Sequence, residues 1–180
     1  MSVKNSIYIA TSLDGFIADK DNSIDWLNTF PPPEGSDMGF ETFMNGIDAL
    51  VMGRITFETV LSFGVEWPYQ KPVFVWSRSE TKIPKELSSK AFATTGTPVE
   101  ITTVLQQKGM SRLYIDGGKT IQSFLEQDLI DEMIITTIPL LLGGGSRLFG
   151  ALEAPKTFTC THTECFNNGV VQSTFIKKTM

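Results

Sequence analysis

The sequence predicts an α/β fold: a mostly parallel sheet of about eight strands, finished by an antiparallel hairpin and flanked by about four helices. Three observations predict it. Runs such as Ala49-Leu50-Val51-Met52 and Val73-Phe74-Val75-Trp76 are apolar at every position, the mark of strands covered on both faces by helices. Segments with apolar residues three and four apart alternate with these runs. Near the C-terminus, Asn167-Asn168-Gly169 is a hairpin signal, which makes the last two strands antiparallel.

Taken in order, the expected strands are Ser6–Thr11, Asp48–Gly53, Pro72–Ser77, Ala91–Thr94, Arg112–Asp116, Glu132–Ile138, Thr157–Glu164 and Val170–Lys177. The first expected helix, Asp37–Asn45, carries Phe40, Phe43, Met44 and then Ile47 at helical spacing. The second, Thr56–Phe63, has Thr56 as its expected N-cap. The third, Pro98–Lys108, has proline in its first turn and Gly109 as its stop. The fourth runs over Lys119–Asp128. Pro31-Pro32-Pro33 reads as a stiff loop, and no linker or repeat divides the chain, so residues 1–180 are expected to form one domain.

Composition narrows the function. A net charge of -5 argues against nucleic acid or an anionic membrane as the main partner, which leaves a small-molecule substrate. No run approaches the ~20 apolar residues of a membrane helix. Residues Met1 to Asn5 lead into the first strand without a signal-peptide core, and a cytoplasmic location is expected. Cys160 and Cys165 are five residues apart on or beside one strand, roughly 16 Å when extended, too far for a disulfide. They are expected to be reduced, structural thiols. No Cys/His cluster has zinc spacing, and no metal is expected. His162 is expected to be a half-exposed strand residue, not a base.

The chemistry concentrates where strands end on glycine. Leu113-Tyr114-Ile115 runs into Asp116-Gly117-Gly118-Lys119-Thr120, and a helical stretch follows at once. Helix-opening amides have no intrahelical partner and sit at the positive end of the helix dipole, so such a turn suits phosphate. Met52-Gly53-Arg54-Ile55-Thr56 repeats the design. Two phosphate-ready strand ends point to a dinucleotide.

Five motifs in order resemble the dihydrofolate reductase-like superfamily, in the branch of the riboflavin-biosynthesis reductase domain. They are Ser12-Leu13-Asp14-Gly15-Phe16-Ile17-Ala18, Gly53-Arg54-Ile55-Thr56-Phe57-Glu58, Ser77-Arg78, Asp116-Gly117-Gly118, and Pro139-Leu140-Leu141-Leu142-Gly143-Gly144-Gly145 with Leu148-Phe149. The resemblance implies a three-layer dihydrofolate reductase-like fold and an NADPH-dependent reductase that passes a hydride to a small heterocyclic or sugar-linked substrate. The implied substrate is closest to 5-amino-6-(5-phosphoribosylamino)uracil.

The resemblance also implies the site. Gly53, Arg54 and Thr56 would hold the pyrophosphate, Gly117, Gly118, Lys119 and Thr120 would face the pyrophosphate and nicotinamide-ribose side, and Asp116 is a further cofactor-binding residue. Ser77 and Arg78 would bind the 2′-phosphate, which selects NADPH over NADH. Ala10, Leu13, Gly15, Ile17 and Ala18 would cover the nicotinamide as a mobile loop. Asp37, near the start of the first helix, and Glu41, one turn on, are the expected catalytic carboxylates, with Trp26, Asp37 and Leu142 against substrate. The bifunctional relatives carry a zinc deaminase with H-x-E and P-C-x-x-C motifs; this chain has neither, so it matches the reductase half alone. Dihydrofolate reduction is the alternative, weakened because Lys71-Pro72 stands where an Arg would precede the third strand. A catalytically silent NADPH-binding regulator is a further alternative. A homodimer is expected from the resemblance.

Overall fold

A computed structural model describes residues 3–178. Its strands are β1 (Lys4–Ser12), β2 (Phe16–Ala18), β3 (Ala49–Gly53), β4 (Val73–Trp76), β5 (Ala91–Thr94), β6 (Arg112–Asp116), β7 (Glu132–Ile138), β8 (Ser146–Arg147), β9 (Phe158–Cys165) and β10 (Val171–Lys177). The helices are α1 (Phe40–Asn45), α2 (Arg54–Ser62), α3 (Pro98–Gln107) and α4 (Gly118–Glu126), with short 3-10 turns at Asp25–Thr29 and Lys85–Leu87.

Eight strands form one sheet in the order β5-β4-β3-β6-β1-β7-β10-β9. All neighbours are parallel as far as β7, and β10 runs antiparallel to both β7 and β9. Side chains alternate across the sheet, so each central strand feeds two cores. Val51, Phe74, Leu113 and Ile115 meet Ile101 and Leu105 of α3 and Ile121, Phe124 and Leu125 of α4 on one face. Leu50, Met52, Val73, Val75 and Tyr114 meet Phe57 of α2 and the α1 ring pair Phe40 and Phe43 on the other. This two-sided burial is why the central runs are apolar at every position. Phe57 and Phe124 are almost wholly enclosed, and truncating either to Ala should cost about 3–5 kcal/mol.

The expected strands are all present within a residue or two at their ends, but β2 and β8 were not expected. At three and two residues they are too short to show a period, and they pair only with each other. Helix α1 begins at Phe40, not Asp37, because Met38 (φ 57°) and Gly39 (φ 87°) are left-handed and interrupt the helix. Helix α2 begins at Arg54 with Gly53 as N-cap, so Thr56 is the third helical residue and not the cap. Cys160 and Cys165 share β9 as expected and are free, but both are exposed, so neither is a buried structural thiol. His162 is exposed on the same edge strand. Among the described residues no helix is long and apolar enough to cross a membrane.

Candidate active site

Strands β3 and β6 are neighbours in the sheet, with Met52 opposite Asp116, so the two glycine turns stand side by side. From there α2 leaves along one face and α4 along the other. Such a divergence of connections opens a crevice beyond the carboxyl ends of the strands, where open α/β sheets take ligands. Both helices have glycine N-caps and neither cap makes a side-chain hydrogen bond, so the first amides of each helix face the crevice without a covalently tethered acceptor.

The turns interlock. A Cβ on Gly53 would lie 2.9 Å from Thr120 Oγ1. Gly117 takes φ +91°, a conformation only glycine adopts cheaply, and a Cβ there would strike Thr56 Oγ1. A Cβ on Gly118 would sit 2.8 Å from Ile17 Cδ1 and 3.3 Å from the Arg147 carbonyl. The glycines thus let the two turns pack directly on each other, with the Thr56 and Thr120 hydroxyls between them, and the uncapped amides of both helix starts beside these hydroxyls are donors that fit the phosphates of a dinucleotide coenzyme. Arg54 Nη1 pairs with Glu58 at 2.8 Å, an exposed i,i+4 contact weak enough to rearrange. At the end of β4, Ser77 Oγ accepts the Ser79 amide at 3.1 Å, and Arg78 is exposed.

Residues Leu13–Ala18 dock through several hydrogen bonds on the segment Leu140–Leu148. Asp14 accepts the Ser12 hydroxyl at 2.6 Å, the Gly143 amide at 2.8 Å and the Leu142 amide at 3.1 Å. The Ser12 hydrogen bond, then the two amides, hold its carboxyl at about 2. The Leu13 amide donates to the Leu140 carbonyl at 2.8 Å, the Leu148 amide donates to the Gly15 carbonyl at 3.1 Å, and β2 pairs with β8. Arg147 lies over the Phe16 ring at 4.5 Å. The glycine run Gly143-Gly144-Gly145 therefore serves as the platform on which this loop docks: Gly145 takes φ +132°, and a Cβ there would strike the Ala18 carbonyl.

The substrate-side residues are placed as follows. Strand alternation puts Asp116 on the face of Tyr114, and Tyr69 approaches the same carboxyl. Burial raises the Asp116 carboxyl to about 6, outweighing the Gly117 amide that it accepts at 2.8 Å and the Tyr114 hydroxyl. Asp37 is exposed and lies before α1; its carboxylate accepts the Glu41 amide at 2.6 Å and the Gly39 amide at 2.9 Å, which lower its pKa. Asp37 and Glu41 thus do not share a helix face. Trp26 is buried with Ile138 and Val170, Leu142 packs on that cluster, and the Trp26 Nε1 donor has no partner. Ala10 stands on β1 two residues above Tyr8, whose ring meets Phe40 and Phe43 at 5.2 and 5.1 Å. The structure thus gathers Ile17, Gly53, Thr56, Gly117, Gly118 and Thr120 at one point, and Trp26 with Leu142 at another. Tyr69 was not among the expected site residues; it follows Trp67-Pro68 and carries no periodic signal. The orientation of Asp116 was readable from the alternation of Leu113, Tyr114 and Ile115.

The chain belongs to the RibD C-terminal domain family, whose model matches residues 6–172. A solved protein of Shewanella sp. PV-4, provisionally assigned to riboflavin biosynthesis, is 48% identical, covers 98% of this chain and all of its own, and superposes with a TM-score of 0.94. Protein YwjB of Bacillus subtilis, which is uncharacterized, is 37% identical over 94% of this chain and 96% of its own length. The Thermotoga maritima diaminohydroxyphosphoribosylaminopyrimidine deaminase/5-amino-6-(5-phosphoribosylamino)uracil reductase shares the fold at 16% identity and a TM-score of 0.73, with 98% of this chain matched to 57% of that one. The architecture is the dihydrofolate reductase-like fold that the motifs imply.

Proposed function

We propose that the protein is an NADPH-dependent reductase acting on a small heterocyclic or sugar-linked substrate, of the class of 5-amino-6-(5-phosphoribosylamino)uracil. The observation that carries this reading is the meeting of two uncapped helix starts, at Gly53 and Gly117, beyond adjacent parallel strands. Membership of the RibD C-terminal domain family supports it. When bound, the coenzyme supplies the hydride.

The chain's residues supply position and a proton. The amides that open α2 and α4, with Thr56, Lys119 and Thr120, hold the diphosphate, and Arg54 leaves Glu58 to neutralise it. Ser77 and Arg78 take the 2′-phosphate. Ala10, Leu13, Gly15, Ile17 and Ala18 cover the nicotinamide and exclude water from the path between the two carbons. Trp26 and Leu142, which pack together, wall the substrate. Asp37 and Glu41 orient its polar edge from the mouth. Asp116, whose carboxyl burial raises to about 6, would give the proton to the substrate's nitrogen or oxygen when a C=N or C=O carbon takes the hydride. The partner expectation extends to a homodimer through the exposed β9–β10 hairpin, whose edge offers unpaired strand groups.

Titration with NADPH and NADH by fluorescence tests the coenzyme, and NADPH consumption with aminopyrimidine-ribityl precursors, dihydrofolate and simple carbonyls tests the substrate. Tight binding of NADPH alone with turnover of the pyrimidine is expected. Equal weak binding of both coenzymes overturns the reading. Turnover of dihydrofolate alone would replace the substrate class, and tight binding with no turnover would leave a regulator.

A further inference from the structure

A cavity of about 410 Å³ lies at the other end of the strands from the glycine turns, under α1. Three charged side chains line its solvent-open end because Lys4, Arg112 and Glu132 each open one of three neighbouring parallel strands. Lys4 Nζ is 3.0 Å from Glu132 Oε2, and the Ser6 hydroxyl donates to the same oxygen at 2.8 Å. The carboxylate is therefore satisfied. Arg112 is not: among the described residues its guanidinium joins no ion pair, and the missing side chain of Gly46 leaves room beside it, with Nη1 3.8 Å from where a Cβ would stand. Of the three charged side chains at this end, Arg112 is the one outside an ion pair among the described residues.

The walls are of a different kind. Met38, Phe43, Ile47 and Ile134 present apolar surface, and Thr42 and Thr174 bring hydroxyls to the rim. The upper end is closed by a hydrogen-bonded partition: the Tyr8 hydroxyl donates to the Met38 carbonyl at 2.7 Å and accepts from Gln172 Nε2 at 3.0 Å, and that amide also donates to Thr136 Oγ1 at 3.0 Å. Its size is that of small-molecule sites, which run from roughly 300 to 1,000 Å³.

We propose that this cavity is a second ligand site, taking a small aromatic or heterocyclic acid whose carboxylate or phosphate meets Arg112 and whose ring lies against Phe43 and Ile134. The guanidinium fork matches either anion bidentately, and an unpaired cation beside apolar walls selects an acid with a flat body over a sugar or an amine.

Titration of the ¹⁵N-labelled protein with phenyl phosphate, benzoate and benzylamine tests it. Both acids should move the amides of Thr42, Gly46, Arg112 and Thr174 saturably, and benzylamine should not. Arg112→Gln should weaken the acids at least about tenfold. Its side chain is exposed and its own amide, which donates to Asp48 at 2.9 Å, is kept, so the fold should persist. Thr42→Trp fills the cavity from its rim and should abolish the response while leaving the NADPH titration unchanged. The proposal falls if the shifts centre on the glycine turns, if benzylamine acts like the acids, if Arg112→Gln binds as before, or if no saturation appears by about 10 mM.

Discussion

Three helices of this protein start directly beyond or near the carboxyl ends of parallel strands, and they start differently. Helix α3 seals itself: the Thr97 hydroxyl accepts the Glu100 amide at 3.3 Å, and the Glu100 carboxylate accepts the Thr97 amide at 2.7 Å. Helices α2 and α4 have bare glycine caps. A reciprocal cap of this kind stabilises a helix by about 1 kcal/mol, which α2 and α4 forgo at the point where they converge. The difference separates a helix end that satisfies its own first amides from two that do not, and it is on those two that the proposed coenzyme site rests. Exposure alone does not draw this distinction; the side chain present or missing at the cap does.

The comparison can be broken most severely at Gly118. Gly118→Val should weaken NADPH binding about 100-fold, roughly 3 kcal/mol, because the branched side chain enters the space between the α4 amides and Ile17. The φ at that position is ordinary, so circular dichroism should show the fold intact. Asp116→Asn should lower turnover about 100-fold with little change in NADPH affinity, measured by steady-state kinetics and fluorescence titration.

The same carboxyl links pH to stability. Its folded pKa is raised from 3.8 to about 6, so the folded state holds the extra proton between these values and stability falls as pH rises through that window. Urea unfolding at pH 4 and 7 should show a loss of roughly 1–3 kcal/mol in the wild type that Asp116→Asn lacks. Arg78→Gln should reduce the preference for NADPH over NADH about tenfold and leave NADH binding as it was. Thr97→Ala, the control on the sealed helix, should cost about 1 kcal/mol, a Tm shift of about 2–4 °C, with unchanged coenzyme affinity.

Most of the sheet was legible in the sequence, because the central strands are buried on both faces and leave unbroken apolar runs. The Pro98 and Gly109 punctuation of α3 and the Asn167-Asn168-Gly169 turn were equally plain. What did not show depended on contacts distant in sequence. The β2–β8 pairing joins Phe16 to Arg147. The start of α1 is set by left-handed Met38 and Gly39, and nothing in methionine signals that conformation. Within the candidate site, both glycine turns were visible as strand ends, yet their adjacency follows from the strand order. Asp37 was picked out by its spacing; that its carboxylate also accepts the Gly39 and Glu41 amides, ahead of the helix and not on it, could not be read from the sequence. The role of Gly143-Gly144-Gly145 as a docking platform emerged only once Asp14 was seen gripping the Leu142 and Gly143 amides.

A crystal structure with NADPH tests the central claim most directly. The diphosphate oxygens should lie within about 3.2 Å of amides that open both α2 and α4, with the start of α3 vacant. A coenzyme seated elsewhere, or touching only one of the two uncapped helices, would contradict it.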